Sequence, residues 1–105
     1  MGSKTQELLE TLDNLATLLE SHGDQHWSKW IRDDASNIRA GDLYGVRHFL
    51  TAFGGMGSLN DRFLCKQNGD KITEEETPSV NARLSQGITK AWGLAQAILD
   101  SQREP

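Results

Sequence analysis

The sequence predicts an all-α fold: a compact bundle of four main helices, with a glycine-rich corner between the third helix and a short helix after it. Two observations carry this. Apolar residues recur at three- and four-residue steps in four separate stretches, the period of one helical face. Each stretch is bounded by a capping residue or a helix-ending glycine, and the connections are short, as in a bundle. At 105 residues the chain suits a single domain, with residues 1–3 and 102–105 expected to fray.

The first helix is expected over Lys4 to Ser21. Leu8, Leu12, Leu15 and Leu19 make its stripe, and Leu9, Ala16 and Leu18 widen it beyond a coiled-coil seam. Ser3 or Thr5 is available as its cap, and Gly23 suits the left-handed position that ends it. The second helix runs from Gln25 to Ala40 behind Asp24 as N-cap. Trp27, Trp30, Ile31, Ala35 and Ile38 share one face, and Gly41 closes it. Asp42 offers a cap for the third, Leu43 to Phe53, in which Gly45 weakens the helix by up to ~1 kcal/mol relative to alanine.

Gly54, Gly55 and Gly57 then give three glycines in four residues, a sharp reversal, with Ser58 placed to cap a short helix from Leu59. Arg62 to Lys66 reads as either a helical turn or an extended piece. The turn signal Asn68-Gly69 leaves open a small hairpin of Phe63–Lys66 against Lys71–Thr73. Thr77-Pro78 reads as N-cap and first residue of a final helix ending near Ser101. Its stripe is Val80, Leu84, Ile88, Ala91, Ala95 and Ile98, broadened by Trp92 and Leu99.

Composition narrows the function. The formal net charge is −4, which disfavours nucleic acid, whose phosphates call for lysine and arginine. No apolar run reaches membrane-spanning length, and the first residues, broken by Gln6, Glu7 and Glu10, lack the core of a secretory signal. The single cysteine, Cys65, makes no internal disulfide and fits a reducing, cytoplasmic setting.

No catalytic, metal or cofactor site is expected. His22 and His26 are four apart, a metal-ligand spacing within a helix, but Gly23 and Asp24 break the helix between them and no cysteine pair joins them. His48, Ser58 and Asp61 lack the surroundings of a nucleophile, and Cys65 has no histidine near it in sequence. The glycine corner resembles an anion-binding nest in composition only, since the P-loop lysine and a preceding strand are missing.

Surface features point to a partner instead. Asp33-Asp34 and the run Glu74, Glu75 and Glu76 are the densest negative features. They read as solvated helix-end charges or as a docking patch for a cationic partner. Met56, flanked by glycines, is either a plug into the core or an exposed contact. Trp27 and Trp30 belong to the core unless an edge is exposed, where tryptophan is a common interface anchor.

The string Phe53-Gly54-Gly55-Met56-Gly57-Ser58-Leu59-Asn60-Asp61 resembles the signature of a small bacterial domain family of unknown function. Its members look like helical domains of this length, with a leucine-rich first helix, a Trp-containing second (here Trp27 to Ile31) and a last helix carrying Asn and Trp (here Asn81 and Trp92). In size, acidity and organisation they are similar to bacterial immunity proteins against secreted toxins. The expectation is therefore a cytoplasmic immunity or antitoxin-like protein. It would occlude a cognate toxin encoded next door, using Asp33, Asp34 and Glu74 to Glu76 for charge and Met56 and Asn60 for corner contacts. It would be a monomer or weak homodimer without cofactor, nucleic acid or membrane. The alternatives are a self-associating helical module and a small-ligand or enzymatic domain built on the corner.

Overall fold

The computed structural model describes residues 2–103, Arg103 by its backbone alone. Four helices form the domain: α1 (Ser3–Ser21), α2 (Gln25–Arg39), α3 (Tyr44–Leu50) and α4 (Thr77–Arg103), with short 3₁₀ turns at Leu59–Asp61 and Lys66–Asn68. There is no strand among the described residues, and none of these helices is long and apolar enough to cross a membrane. α1 packs on α2 and α4, while α3 packs on α2 and α4. The 27-residue α4 is about 40 Å long, and the longest dimension of the molecule is 49 Å.

The expected stripes make the core. Leu8, Leu12, Leu15 and Leu19 of α1 meet Ile31, Ala35 and Ile38 of α2 and Val80, Leu84, Ile88, Ala91, Ala95 and Ile98 of α4, with Val46 and Phe49 from α3. Trp27 and Trp30 are half-buried against this core, and Trp92 turns 45 % of its surface to solvent instead of widening the α4 stripe.

Local chemistry explains most boundaries. Asp24 caps α2 by accepting the Trp27 amide at 2.9 Å, and the Asp42 carboxylate accepts the Tyr44 amide at 2.9 Å. Gly45 is buried where α3 crosses α2: a Cβ there would lie 2.6 Å from the Asp34 carbonyl and 2.8 Å from Ile38 Cγ1. The residue that weakens α3 as a helix is the one that lets α3 approach α2.

Three expectations shift. α1 has Gly2 at its N-cap position and no side-chain cap, so neither Ser3 nor Thr5 serves. α3 stops at Leu50 rather than Phe53. The last helix is capped before Thr77. The Thr73 hydroxyl accepts the Glu76 amide at 3.2 Å and the Glu76 carboxylate accepts the Thr73 amide at 3.1 Å, a reciprocal capping box. Thr77 donates its amide back to Thr73 O at 3.2 Å and so lies inside the first turn.

The possible hairpin does not form, because its backbone groups bond elsewhere. Leu64 pairs with the side chain of Asn81 on α4, its amide to Oδ1 and its carbonyl to Nδ2, both at 2.8 Å. Lys71 pairs with His22: its amide donates to His22 O at 2.9 Å and its carbonyl accepts His22 Nδ1 at 2.7 Å. Between them, the Lys66–Asn68 turn ends at Gly69 with φ +84°.

Candidate partner-binding surface

The glycine corner is a closed loop with a single protruding side chain. The Ala52 carbonyl accepts the Leu59 amide at 2.8 Å, and Leu59 is fully buried beneath the loop. The Asn60 amide grips Gly54 from both sides, Oδ1 accepting its N–H at 3.0 Å and Nδ2 donating to its carbonyl at 3.2 Å. Ser58 Oγ lies within hydrogen-bond distance of both Gly55 O and Asn60 Oδ1, and the Asp61 carboxylate accepts the Gly57 amide at 3.1 Å. Gly57 adopts φ +87°, which an L side chain resists. On this fastened loop Met56 is 99 % exposed. Met56 is thus not a plug into the core: it projects into solvent.

Asn60 and Ser58 use their polar groups to hold the loop. Asn60 is exposed, but its amide is engaged by Gly54. Ser58 occupies the N-cap position of the following turn without making a side-chain cap bond.

Behind the corner lies a buried ion network that the sequence did not suggest. Arg62 Nε donates to Asp24 at 2.8 Å, Nη2 to Asp70 at 2.6 Å and Nη1 to the Phe63 carbonyl at 2.8 Å. Asp24 is at the same time the cap of α2, and Asp70 also accepts the Cys65 amide at 2.9 Å. Burial opposes ionisation of Asp70, but the Arg62 hydrogen bonds and the Cys65 amide outweigh it, so the carboxyl sits below its ordinary range. The network ties the start of α2, the exit of the corner and the 65–70 turn into one unit. Asp24 and Asp70 stand 38 and 8 residues from Arg62, so no local pattern announces it.

The acidic residues scatter. Asp33 is exposed and paired with Lys29 at 2.7 Å, one helical turn away. Asp34, expected to carry surface charge, is 1 % exposed and points into the protein. The reason is helical phase: Asp34 falls between Ile31 and Ile38 on the face that packs against α3, and its neighbour does not. Glu76 is half-buried, held by the capping box and 3.9 Å from His22 Nδ1. Glu74 and Glu75 remain exposed, with no ion pair among the described residues.

Asp34 meets His48 of α3, whose Nδ1 donates to Oδ1 at 2.6 Å. The other oxygen, Oδ2, is buried without a hydrogen-bond partner among the described residues, as is Trp30 Nε1. Burial pushes the Asp34 carboxyl up to about 6 against the pull of His48. His48 is stacked between Trp30 (4.4 Å between ring centroids) and Tyr44 (5.5 Å). Trp27 and His26 extend the aromatic row along α2. The arrangement fixes the imidazole orientation as a carboxylate–histidine pair does. Ser58 and Asp61, which a nucleophilic set with His48 would need, are instead engaged within the corner.

No curated protein and no solved structure matches the chain. A domain family matches residues 20–73, a stretch that holds α2, α3, the glycine corner and the whole Asp24–Arg62–Asp70 network. As that stretch is just over half of its 105 residues, the chain belongs to the family described as Domain of unknown function (DUF6966).

Proposed function

We propose that this domain is a bacterial, cytoplasmic immunity or antitoxin-like protein that binds a cognate secreted toxin stoichiometrically and blocks its active site. One observation carries the reading: Met56 stands 99 % exposed at the tip of a loop whose backbone is fastened by Asn60 and Asp61. A pre-ordered loop loses little backbone freedom on docking, so only the side-chain entropy of the apolar knob at its tip offsets the gain from burying it. Glu74 and Glu75 supply exposed negative charge, and Asp61 lies within the corner itself, which suits a basic cleft and speeds encounter.

The test is a calorimetric titration of the purified domain with the product of the adjacent open reading frame. Binding near one to one, weakened about tenfold or more by Met56→Ala, is the expected result. Charge reversal at Glu74 and Glu75 should slow association and reduce its salt dependence. No binding to the neighbouring product rejects the reading. The alternative, a self-associating helical module, draws on the exposed rings of Tyr44, Phe63 and Trp92. It predicts a mass that rises with concentration in light scattering.

A further inference from the structure

Away from the corner, residues of α1 and α4 line a groove of about 540 Å³. Its floor is apolar. A Cβ on Gly87 would lie 2.7 Å from Leu15 Cδ2, so the absent side chain lets the Leu15 side chain and the α4 backbone meet, and Leu18 continues the floor. Its rim is cationic. Arg83 and Lys90 flank Gly87 on the same wall, four residues before and three after, about 10 Å apart along the helix. The α1 wall offers Asn14 and hydroxyl side chains.

The charge is the informative feature. The chain carries 15 acidic and 11 basic residues, yet no aspartate or glutamate lines this groove. Lys90 leans toward Glu7 at 3.2 Å, whereas Arg83 has no acidic partner among the described residues. An uncommitted guanidinium beside a small apolar floor is the pairing that recognises an anionic head on an apolar body.

We propose that the α1–α4 groove is a binding site for a small organic anion, its charged group held by Arg83 and Lys90 and its apolar body laid on Leu15, Leu18 and Gly87. This site is separate from the corner and does not depend on the toxin-binding reading. A sulfonate, phosphate or carboxylate satisfies the fork of Arg83 equally. The cavity volume lies within the range of small-molecule sites.

The experiment titrates the intact protein with 8-anilinonaphthalene-1-sulfonate and with its neutral analogue N-phenyl-1-naphthylamine, followed by fluorescence and by amide chemical shifts. The sulfonate should bind with shifts centred on residues 11–21 and 83–90, and the neutral analogue about tenfold more weakly. Arg83→Gln should weaken the sulfonate by about tenfold and Lys90→Gln by less, since Lys90 is shared with Glu7. Both side chains are exposed, so the unfolding midpoint should stay in place and a lost signal reports the site rather than the fold. No sulfonate binding, equal affinity for both probes, affinity untouched by Arg83→Gln, or shifts centred on Tyr44 and Met56 would each overturn the proposal.

Discussion

Asp34 on α2 and His48 on α3 share a 2.6 Å hydrogen bond, with the carboxylate 1 % exposed and the imidazole held between two aromatic rings. Burial of Asp34, opposed by His48, sets a pH dependence whose sign is unusual for an aspartate. The folded protein holds the Asp34 proton up to about pH 6, whereas an unfolded chain releases it near 3.8. The native state therefore binds the proton more tightly, and the contribution of Asp34 to stability is greatest below about 4 and falls as pH rises to 6. The gap corresponds to roughly 3 kcal/mol by linkage. Asp70 acts in the opposite sense, its lowered value contributing stability that is lost as the medium turns acid. Urea unfolding of wild type and Asp34→Asn between pH 4 and 7 separates the two. The stability of the variant relative to wild type should improve by about 2–3 kcal/mol across that interval, and a pH-independent difference would refute the assignment.

Arg62→Met should rank among the most damaging substitutions. It strips the shared cation from Asp24 and Asp70, whose side chains are only 5 % and 7 % exposed. Leaving two buried carboxylates unpaired is expected to cost about 3–5 kcal/mol, measurable as a lower urea midpoint. A loss below ~1 kcal/mol, typical of a surface pair, would show the network to be dispensable.

Two glycines in helices should respond oppositely to alanine. Gly93 of α4 has nothing within 4 Å of an added Cβ, so Gly93→Ala should stabilise by up to ~1 kcal/mol through helix propensity. Gly45→Ala should destabilise by about 1–3 kcal/mol despite the same propensity gain, because the new methyl meets the Asp34 carbonyl at 2.6 Å. Thermal unfolding of both variants gives the comparison directly.

The corner predicts a separation of stability from recognition. Met56→Ala should leave the unfolding midpoint within ~0.5 kcal/mol of wild type, since the side chain touches solvent almost everywhere. Gly57→Ala, at φ +87°, should cost about 1–2 kcal/mol. Equal losses in the two would mean that Met56 packs against the protein.

What the sequence made legible follows from the range of the interaction. The Asp24 cap, the stripes of α1 and α4 and the corner depend on residues within a turn or two of each other, and the periodicity exposes them. The choice of Thr73 over Thr77 as cap turns on a reciprocal partner, Glu76, which in the sequence is one of three adjacent acids. Asp33 and Asp34 look alike in sequence, and only the packing of α3 against α2 separates a solvated charge from a buried one. The Arg62 network and the Asp34–His48 pair bridge residues 38 and 14 positions apart, and nothing in composition marks such partners.

The Asn81 side chain occupies the place a neighbouring strand would take beside Leu64, and it belongs to α4, beyond the family-matched residues 20–73. A fragment trimmed to those limits would therefore lose the scaffold that shapes its own irregular segment, along with the α1 and α4 leucines that seal Ile31 and Phe49 from water. Any excised or grafted version of the corner needs both flanking helices carried with it.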